Sequence, residues 1–169
     1  MIVECFLDTN ILVYAALGKG AEEAKRKAAS DLIASTQFGL SGQVLQEFYA
    51  AVTRKTARPL SPACALEWIE LLEVFPCVPV DVSLIKRGAE IAVRYRVSCW
   101  DGSILAAAES LGAETLYSED LGHGQLYGSV RVCNPFKDAP RSGFHEDDAA
   151  PLGDPVAGTA KSGHRNTRI

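Results

Sequence analysis

Short apolar segments alternate with longer segments of helical periodicity along most of this chain. The strand-like segments lie at residues 2–7, 38–41, 77–80, 115–118 and 130–133. The helix-like segments lie at residues 11–17, 21–35, 43–56, 62–74, 83–95 and 100–111. Strands that alternate with helices usually run side by side in one direction, because each helix carries the chain back to the start of the sheet. The order therefore predicts an α/β domain with a mostly parallel sheet flanked by helices.

A few residues mark where these segments begin and end. Gly18 and Gly112 follow helix-like segments, which is the usual place for a C-terminal glycine. Ser61 followed by Pro62 predicts a helix start, with the serine as cap and the proline in the first turn. Pro79 lacks a backbone N–H, so it predicts that its strand lies at an edge of the sheet.

The length of 169 residues is sufficient for one domain with a substantial core. We assign this domain to residues 1–137, because the composition changes after that point. Residues 138–169 are rich in Gly, Pro, Ala and charge and contain few large apolar side chains. This composition predicts a disordered tail, acidic first and basic later. A tether, a partner contact and no specific role are all compatible with it.

The net charge of −4 gives no electrostatic footprint for strong nonspecific nucleic-acid binding. It is compatible with a nuclease, because a metal site itself requires acids. No apolar run is long enough to cross a membrane, and the first residues contain no basic leader. We therefore expect a cytoplasmic protein. The five cysteines are odd in number and form no C-x-x-C pair, which predicts free and mostly buried thiols.

Two candidate acids follow predicted strands. Asp8 comes directly after the first strand, and Asp120 follows the strand at 115–118. Ligands bind outside the carboxyl ends of parallel strands, although Asp8 is equally suited to cap the following helix. Glu119 competes with Asp120 for the same role. If Ser118 ends its strand facing inward, strict alternation points Asp120 the same way.

Two further acids lie on predicted helices. Asp101 precedes Ile104, Leu105 and Ala108 at helical spacing, which places it on an apolar stripe. Burial of an unpaired carboxylate is costly, so this position predicts a cation or a strong hydrogen-bond donor nearby. Glu47 lies at the edge of its helix's apolar face, where an ordinary solvated glutamate is the competing interpretation.

Considered together, these acids predict one site at the rim of the sheet. Oxygen ligands without His or Cys favour hard cations such as Mg²⁺ or Mn²⁺. A carboxylate-held metal with open positions is suited to phosphodiester hydrolysis.

Four short motifs resemble those of PIN-domain nucleases, with the closest likeness to the VapC-type toxins of bacterial toxin–antitoxin pairs. The motifs are residues 6–10 (FLDTN), 46–48 (QEF), 100–101 (WD) and 116–120 (LYSED). They occur in order and with suitable spacing, and the resemblance covers about residues 2–136. Each motif is short, but the ordered set is more specific than any one of them.

The resemblance implies a PIN-like three-layer α/β fold and a Mg²⁺- or Mn²⁺-dependent endoribonuclease. It implies that the catalytic, metal-binding acids are Asp8, Glu47, Asp101 and Asp120. It also implies that Asn10 and Ser118 support the site, with Glu119 as a weaker candidate acid. RNA would be the substrate, the chain would form a homodimer, and a small cognate antitoxin would inhibit it. The long tail departs from the compact pattern of the family.

Two other functions are compatible with parts of the sequence. A haloacid-dehalogenase-like phosphatase also begins with a strand followed by an aspartate, but its D-x-D pattern is broken here by Asn10. A catalytically silent PIN-like module that binds RNA or protein would keep the fold without the chemistry. Such a silent module would not need four acids whose placement in an apolar setting costs free energy.

Overall fold

The computed structural model describes residues 3–54, 56 and 58–137. The predicted tail at 138–169 lies outside these residues. The strands are β1 (Cys5–Leu7), β2 (Phe38–Ser41), β3 (Cys77–Val78), β4 (Thr115–Tyr117), β5 (Leu126–Tyr127) and β6 (Val130–Cys133). The helices are α1 (Thr9–Leu17), α2 (Glu23–Ser35), α3 (Gly42–Arg54), α4 (Pro62–Leu72), α5 (Val82–Tyr95) and α6 (Cys99–Ser110). A short 3-10 helix, Gly20–Glu22, precedes α2.

Within the described residues, the strands form one sheet in the order β3-β2-β1-β4-β6-β5. All neighbouring strands are parallel except the β5–β6 pair, which is antiparallel. This arrangement confirms the predicted α/β fold with a mostly parallel sheet between helices. The central strand β1 is buried along its whole length, as expected for a parallel strand covered on both faces.

Most predicted elements match the structure, with differences at their ends. The proline-containing strand lies at an edge, as predicted, although only Cys77–Val78 pairs with β2. Strand β5 was not predicted, because a segment of two residues is too short to show a period. Gly128, with a φ of +62°, makes the tight turn that joins β5 to β6.

Helices α5 and α6 pack closely against each other through small residues. A side chain at Gly102 would collide with the backbone carbonyl of Gly88, and one at Gly88 would collide with Ser103. Residues 102–108 of α6 are all buried. This contact fixes the position of α6 and therefore the position of the acid in its first turn.

Cys5, Cys64, Cys77 and Cys99 are free thiols, as predicted, but the expected burial of the cysteines is mostly wrong. Cys5 is buried in β1, whereas Cys64, Cys77 and Cys99 are exposed. Cys99 is the first residue of α6, and Cys77 is the first residue of the edge strand β3. Among the described residues, no helix has the length and apolar character needed to span a membrane.

Candidate active site

Asp8 and Ser118 meet at the carboxyl ends of two neighbouring strands. Strands β1 and β4 pair directly, and the backbone N–H of Asp8 donates to the carbonyl of Tyr117 at 3.0 Å. The Asp8 side chain also caps α1 by accepting from the backbone N–H of Thr9 at 2.6 Å. The helix-cap interpretation of Asp8 is therefore confirmed, and this capping residue also lies at the carboxyl end of a parallel strand.

The carboxylate of Asp8 is buried and held by neutral donors. Its side chain accepts from the Ser118 hydroxyl at 2.6 Å and from the Asn10 amide at 3.2 Å. Burial raises the pKa of Asp8 to about 6, although the hydrogen bonds from Ser118 and Thr9 lower it. The nearby acids Asp120 and Glu47 raise the pKa further. The site thus makes ionisation of Asp8 costly unless positive charge enters.

Asn10 connects the acids that follow the two strands. Its amide nitrogen donates to Asp120 at 3.0 Å as well as to Asp8, and contacts the Ser118 hydroxyl at 3.4 Å. Its amide oxygen is buried and has no hydrogen-bond partner among the described residues. An unpaired buried acceptor is uncommon in native proteins and indicates a missing donor or cation. Asn10 and Ser118 lie where support for the site was expected.

Glu47 is fixed by two side chains that sequence reasoning did not select. One carboxylate oxygen accepts from the Thr9 hydroxyl at 3.1 Å, and the other accepts from the Gln43 amide at 2.9 Å. The Gln43 amide also donates to the carbonyl of Trp100 at 3.1 Å. Gln43 is buried and so ties α3 to the first turn of α6. The helical i,i+4 spacing of Gln43 and Glu47 was the available signal for this pair.

Asp101 is half-buried rather than enclosed in the core, so the expectation of a buried carboxylate is wrong. The apolar stripe begins only one turn later, because the first turn of α6 projects beyond the packed part of the helix. The predicted strong donor is present. The hydroxyl of Ser98, the cap of α6, donates to the Asp101 carboxylate at 2.7 Å and accepts from its backbone N–H at 3.0 Å.

Glu119 and Asp120 have different partners. Glu119 accepts from Lys25 and from the Tyr14 hydroxyl, each at 2.7 Å, and Lys25 also donates to Tyr14. Asp120 instead lies beside Asn10, and its backbone N–H donates to the Ser118 hydroxyl at 3.1 Å. Partial burial raises the pKa of Tyr14 above its usual value. Lys25 neutralises Glu119. Asp120 is the acid of this pair that lies near Asp8, because the Asn10 amide donates to both.

A cleft of about 920 Å³ brings the candidate acids to one place. Asp8, Glu47, Asp101, Glu119 and Asp120 all line it. Among the described residues, the salt bridges include Glu119 but none of the other four. In the side-chain positions described, no three Asp, Glu, His or Cys residues form a ready metal-binding group. The cleft therefore concentrates uncompensated negative charge without a closed ligand cage.

The family of the chain follows from a comparison with known proteins. The PIN domain family model matches residues 5–128, which is more than half of the chain. This chain belongs to the PIN domain family. That membership, together with the sheet order, confirms the PIN-like three-layer fold and sets the chain apart from the haloacid-dehalogenase-like phosphatases.

Solved structures with the same fold include several toxins. The chain is similar to VapC20 of Mycobacterium tuberculosis, a sarcin-ricin loop cleaving toxin, with 24% identity and a TM-score of 0.55 over 69% of this chain and 89% of that one. It is similar to a toxin–antitoxin complex from Klebsiella pneumoniae, with 18% identity and a TM-score of 0.57 over 78% and 97%. DNA-bound VapBC from Salmonella typhimurium gives 19% identity and a TM-score of 0.54 over 78% and 97%. No curated protein sequence matches the chain significantly.

Proposed function

We propose that this protein is the nuclease toxin of a toxin–antitoxin pair and cleaves RNA phosphodiesters with Mg²⁺ or Mn²⁺. The observation that carries the proposal is the convergence of Asp8, Glu47, Asp101 and Asp120 on one cleft of a PIN domain. These acids come from four separate parts of the chain, and each is costly to place beside the others. A shared cation is the simplest compensation for that cost.

The residues of the cleft are suited to a hard divalent cation. All candidate ligands are oxygens, which favours Mg²⁺ or Mn²⁺ over zinc. Among the described residues, the buried oxygen of Asn10 has no hydrogen-bond partner, and none of the four acids forms a salt bridge. A bound cation would pair with both kinds of oxygen. Asp8, Asp101 and Asp120 would hold the ion, with Glu47 as a further ligand or as the group that orients water. When bound, the ion supplies an activated water and binds phosphate oxygens.

The neighbouring side chains position the acids for this role. Ser118 and the backbone N–H of Thr9 hold Asp8 at the strand end. Thr9 and Gln43 hold both oxygens of Glu47, so its carboxylate has a fixed direction. Asp120 and Asp101 are less buried than Asp8, so both can rotate away from Asn10 and Ser98 to complete a ligand set.

Incubation of the full chain with mixed RNAs, with Mg²⁺ or with EDTA, tests this proposal. We expect cleavage that requires the metal and is lost in Asp8→Asn and in Asp101→Asn, with both variants folded by circular dichroism. The matched control is Asp31→Asn, since Asp31 is an exposed acid on α2 that pairs with Lys27. Undiminished cleavage in EDTA, or in both site variants, would contradict the proposal. A DNA strand of the same sequence measures the preference for RNA.

A second candidate is a catalytically silent PIN module that binds RNA or protein. It is favoured by one observation, the absence of a ready three-ligand group among the described side chains. Such a module would bind RNA without cutting it. Isothermal titration with Mg²⁺ separates the two candidates, because the nuclease requires a Mg²⁺ site that Asp8→Asn weakens, and the silent module does not.

We also propose a small antitoxin as partner, a homodimeric state and a cytoplasmic location. The solved neighbours that are toxin–antitoxin complexes support the first of these. Exposed apolar side chains offer surface for protein contacts: Leu71 on α4, Val74 just after it and Val93 on α5. Co-expression with the small protein of the adjacent reading frame tests the partner, and we expect it to inhibit RNA cleavage. Sedimentation of the purified chain tests the dimer.

A further inference from the structure

Trp100 is a large aromatic side chain that the fold leaves open to solvent beside the acids. It is 69% exposed. Among the described residues, Trp100 alone of the exposed large hydrophobic side chains lines the cleft. Single exposed apolar side chains are common, but one that lines a cleft offers a contact surface to whatever enters that cleft. The occupant of that surface must enter the same cleft as the substrate.

The backbone that carries Trp100 is held in place by a hydrogen bond and by helix packing, which sets where the indole is attached. Its carbonyl accepts from the buried Gln43 amide, and the following turns of α6 are locked against α5 by Gly88 and Gly102. Asp101 is the next residue in the chain. The indole is thus attached one residue from a proposed ligand of the metal.

The indole itself has no partner ring. No aromatic ring or cation packs on Trp100 in the described part of the chain. The other tryptophan of the chain, Trp68, is instead half-buried, with its ring centroid 5.9 Å from that of Phe48. The free face of Trp100 is therefore available to a flat ligand.

Two cations line the same cleft. Lys19 follows α1, and Arg58 lies in the segment between α3 and α4. Neither forms a salt bridge with a described residue. Both are therefore free to pair with anionic groups from outside. Cations beside an exposed aromatic ring are the combination that single-stranded nucleic acids bind, through phosphates and stacked bases respectively.

We propose that Trp100 stacks on an unpaired base next to the scissile phosphate and so positions the RNA in the cleft. This inference rests on the proposed ribonuclease function. A base within a duplex is already stacked between its neighbours and cannot place its face on the indole. Lys19 and Arg58 bind the phosphates that flank the reacting one.

Tryptophan fluorescence tests the stacking directly. Trp68→Phe leaves Trp100 as the sole indole of the full chain, and Asp8→Asn in the same protein prevents cleavage during the measurement. We expect saturable quenching by a single-stranded RNA octamer and little quenching by the same sequence in a duplex. A protein with Trp100→Phe, which retains only Trp68, should show no quenching. Equal quenching by both RNAs, or none by either, would overturn the inference.

Steady-state kinetics give an independent measurement. Base stacking of ordinary strength predicts that Trp100→Leu raises KM for single-stranded RNA roughly 5- to 150-fold with little change in kcat. Trp100→Phe keeps an aromatic face and should restore most of the affinity. Leu126→Ala is the control, because it removes an exposed apolar side chain that does not line the cleft. An unchanged KM in Trp100→Leu would overturn the stacking role.

The outcomes separate failure of this inference from failure of the proposed function. Metal-dependent cleavage by the wild type with an unaffected Trp100→Leu variant leaves the nuclease and refutes the stacking. Quenching by single-stranded RNA without cleavage by the wild type retains the stacking and refutes the nuclease. Loss of antitoxin binding in Trp100→Leu, with KM unchanged, assigns the indole to a protein partner and overturns the inference.

Discussion

The hydroxyl of Ser118 donates to the carboxylate of Asp8 at 2.6 Å and joins the ends of two neighbouring strands. Ser118 is fully buried, so its hydroxyl has no access to water in place of this contact. Because the hydrogen bond favours the ionised form of Asp8, its removal shifts the pKa of Asp8 further upward. We expect Ser118→Ala to move the acid limb of the pH–rate profile of RNA cleavage to higher pH.

The matched control for this change is Ser110→Ala, which removes an exposed hydroxyl that bonds only within α6. It should leave the pH–rate profile where it is. A Ser118→Ala profile that falls in height but keeps its position would assign Ser118 a purely structural role.

Asp8 makes the stability of the metal-free protein depend on pH. Its pKa is raised from 3.8 to about 6 in the fold, so the favourable contribution of its neutral form is complete below 3.8 and is lost as the pH rises through 6. By linkage, the total change is on the order of 3 kcal/mol. The measurement is the free energy of unfolding in EDTA for the wild type minus that for Asp8→Asn. We expect this difference to fall between pH 4 and pH 7.

Addition of Mg²⁺ should reverse that trend. A cation bound at Asp8 stabilises only the folded wild type, so its melting temperature should rise at pH 7.5 more than that of Asp8→Asn. A difference in unfolding free energy that is flat across pH 4–7 would show that Asp8 ionises in the fold as easily as in water.

Gln43 does not line the cleft, but it holds one carboxylate oxygen of Glu47, so we propose it as a positioning residue. Loss of such outer contacts commonly reduces metal affinity or activity about 10- to 100-fold. We therefore expect Gln43→Met, which keeps the length but removes the donor, to weaken Mg²⁺ binding measured by calorimetry while the fold persists. Gln46→Met is the control, because Gln46 is an exposed glutamine on the same helix. Equal Mg²⁺ affinity in both variants would remove Gln43 from the site.

Lys19 and Arg58 should contribute to the salt dependence of substrate binding. Each phosphate contact to a single strand adds about 0.7 to the slope of log affinity against log salt concentration. We expect the double variant Lys19→Ala, Arg58→Ala to reduce that slope by about 1.4 when KM is measured across a salt series. Lys27→Ala, which changes an exposed cation already paired with Asp31, should leave the slope unchanged.

Features that depend on residues close together in the chain could be predicted from the sequence. The apolar segment before Asp8 and the helical periods of α3 and α5 predicted the elements that place the site, because burial imposes a fixed spacing on each. The alternation after Ser118 correctly favoured Asp120 over Glu119 as the neighbour of Asp8.

Contacts between distant parts of the chain could not be read in the same way. Gln43 meets Trp100 across 57 positions, and Lys25 neutralises Glu119 across 94. Neither contact produces a repeating pattern of residues that a single sequence could show. The expected burial of Asp101 failed for a related reason, since a helical stripe shows which face is apolar but not how far along the helix the packing extends.

The amide of Asn10 donates to Asp8 and to Asp120, so the two carboxylates are tolerated side by side without an ion. Folding of the domain therefore does not have to wait for metal. Under the proposed function, folding and metal binding are then two separate events, and the supply of divalent ions acts as a later control. The carboxylates of the site would thus already be in place in the folded protein when the ion arrives.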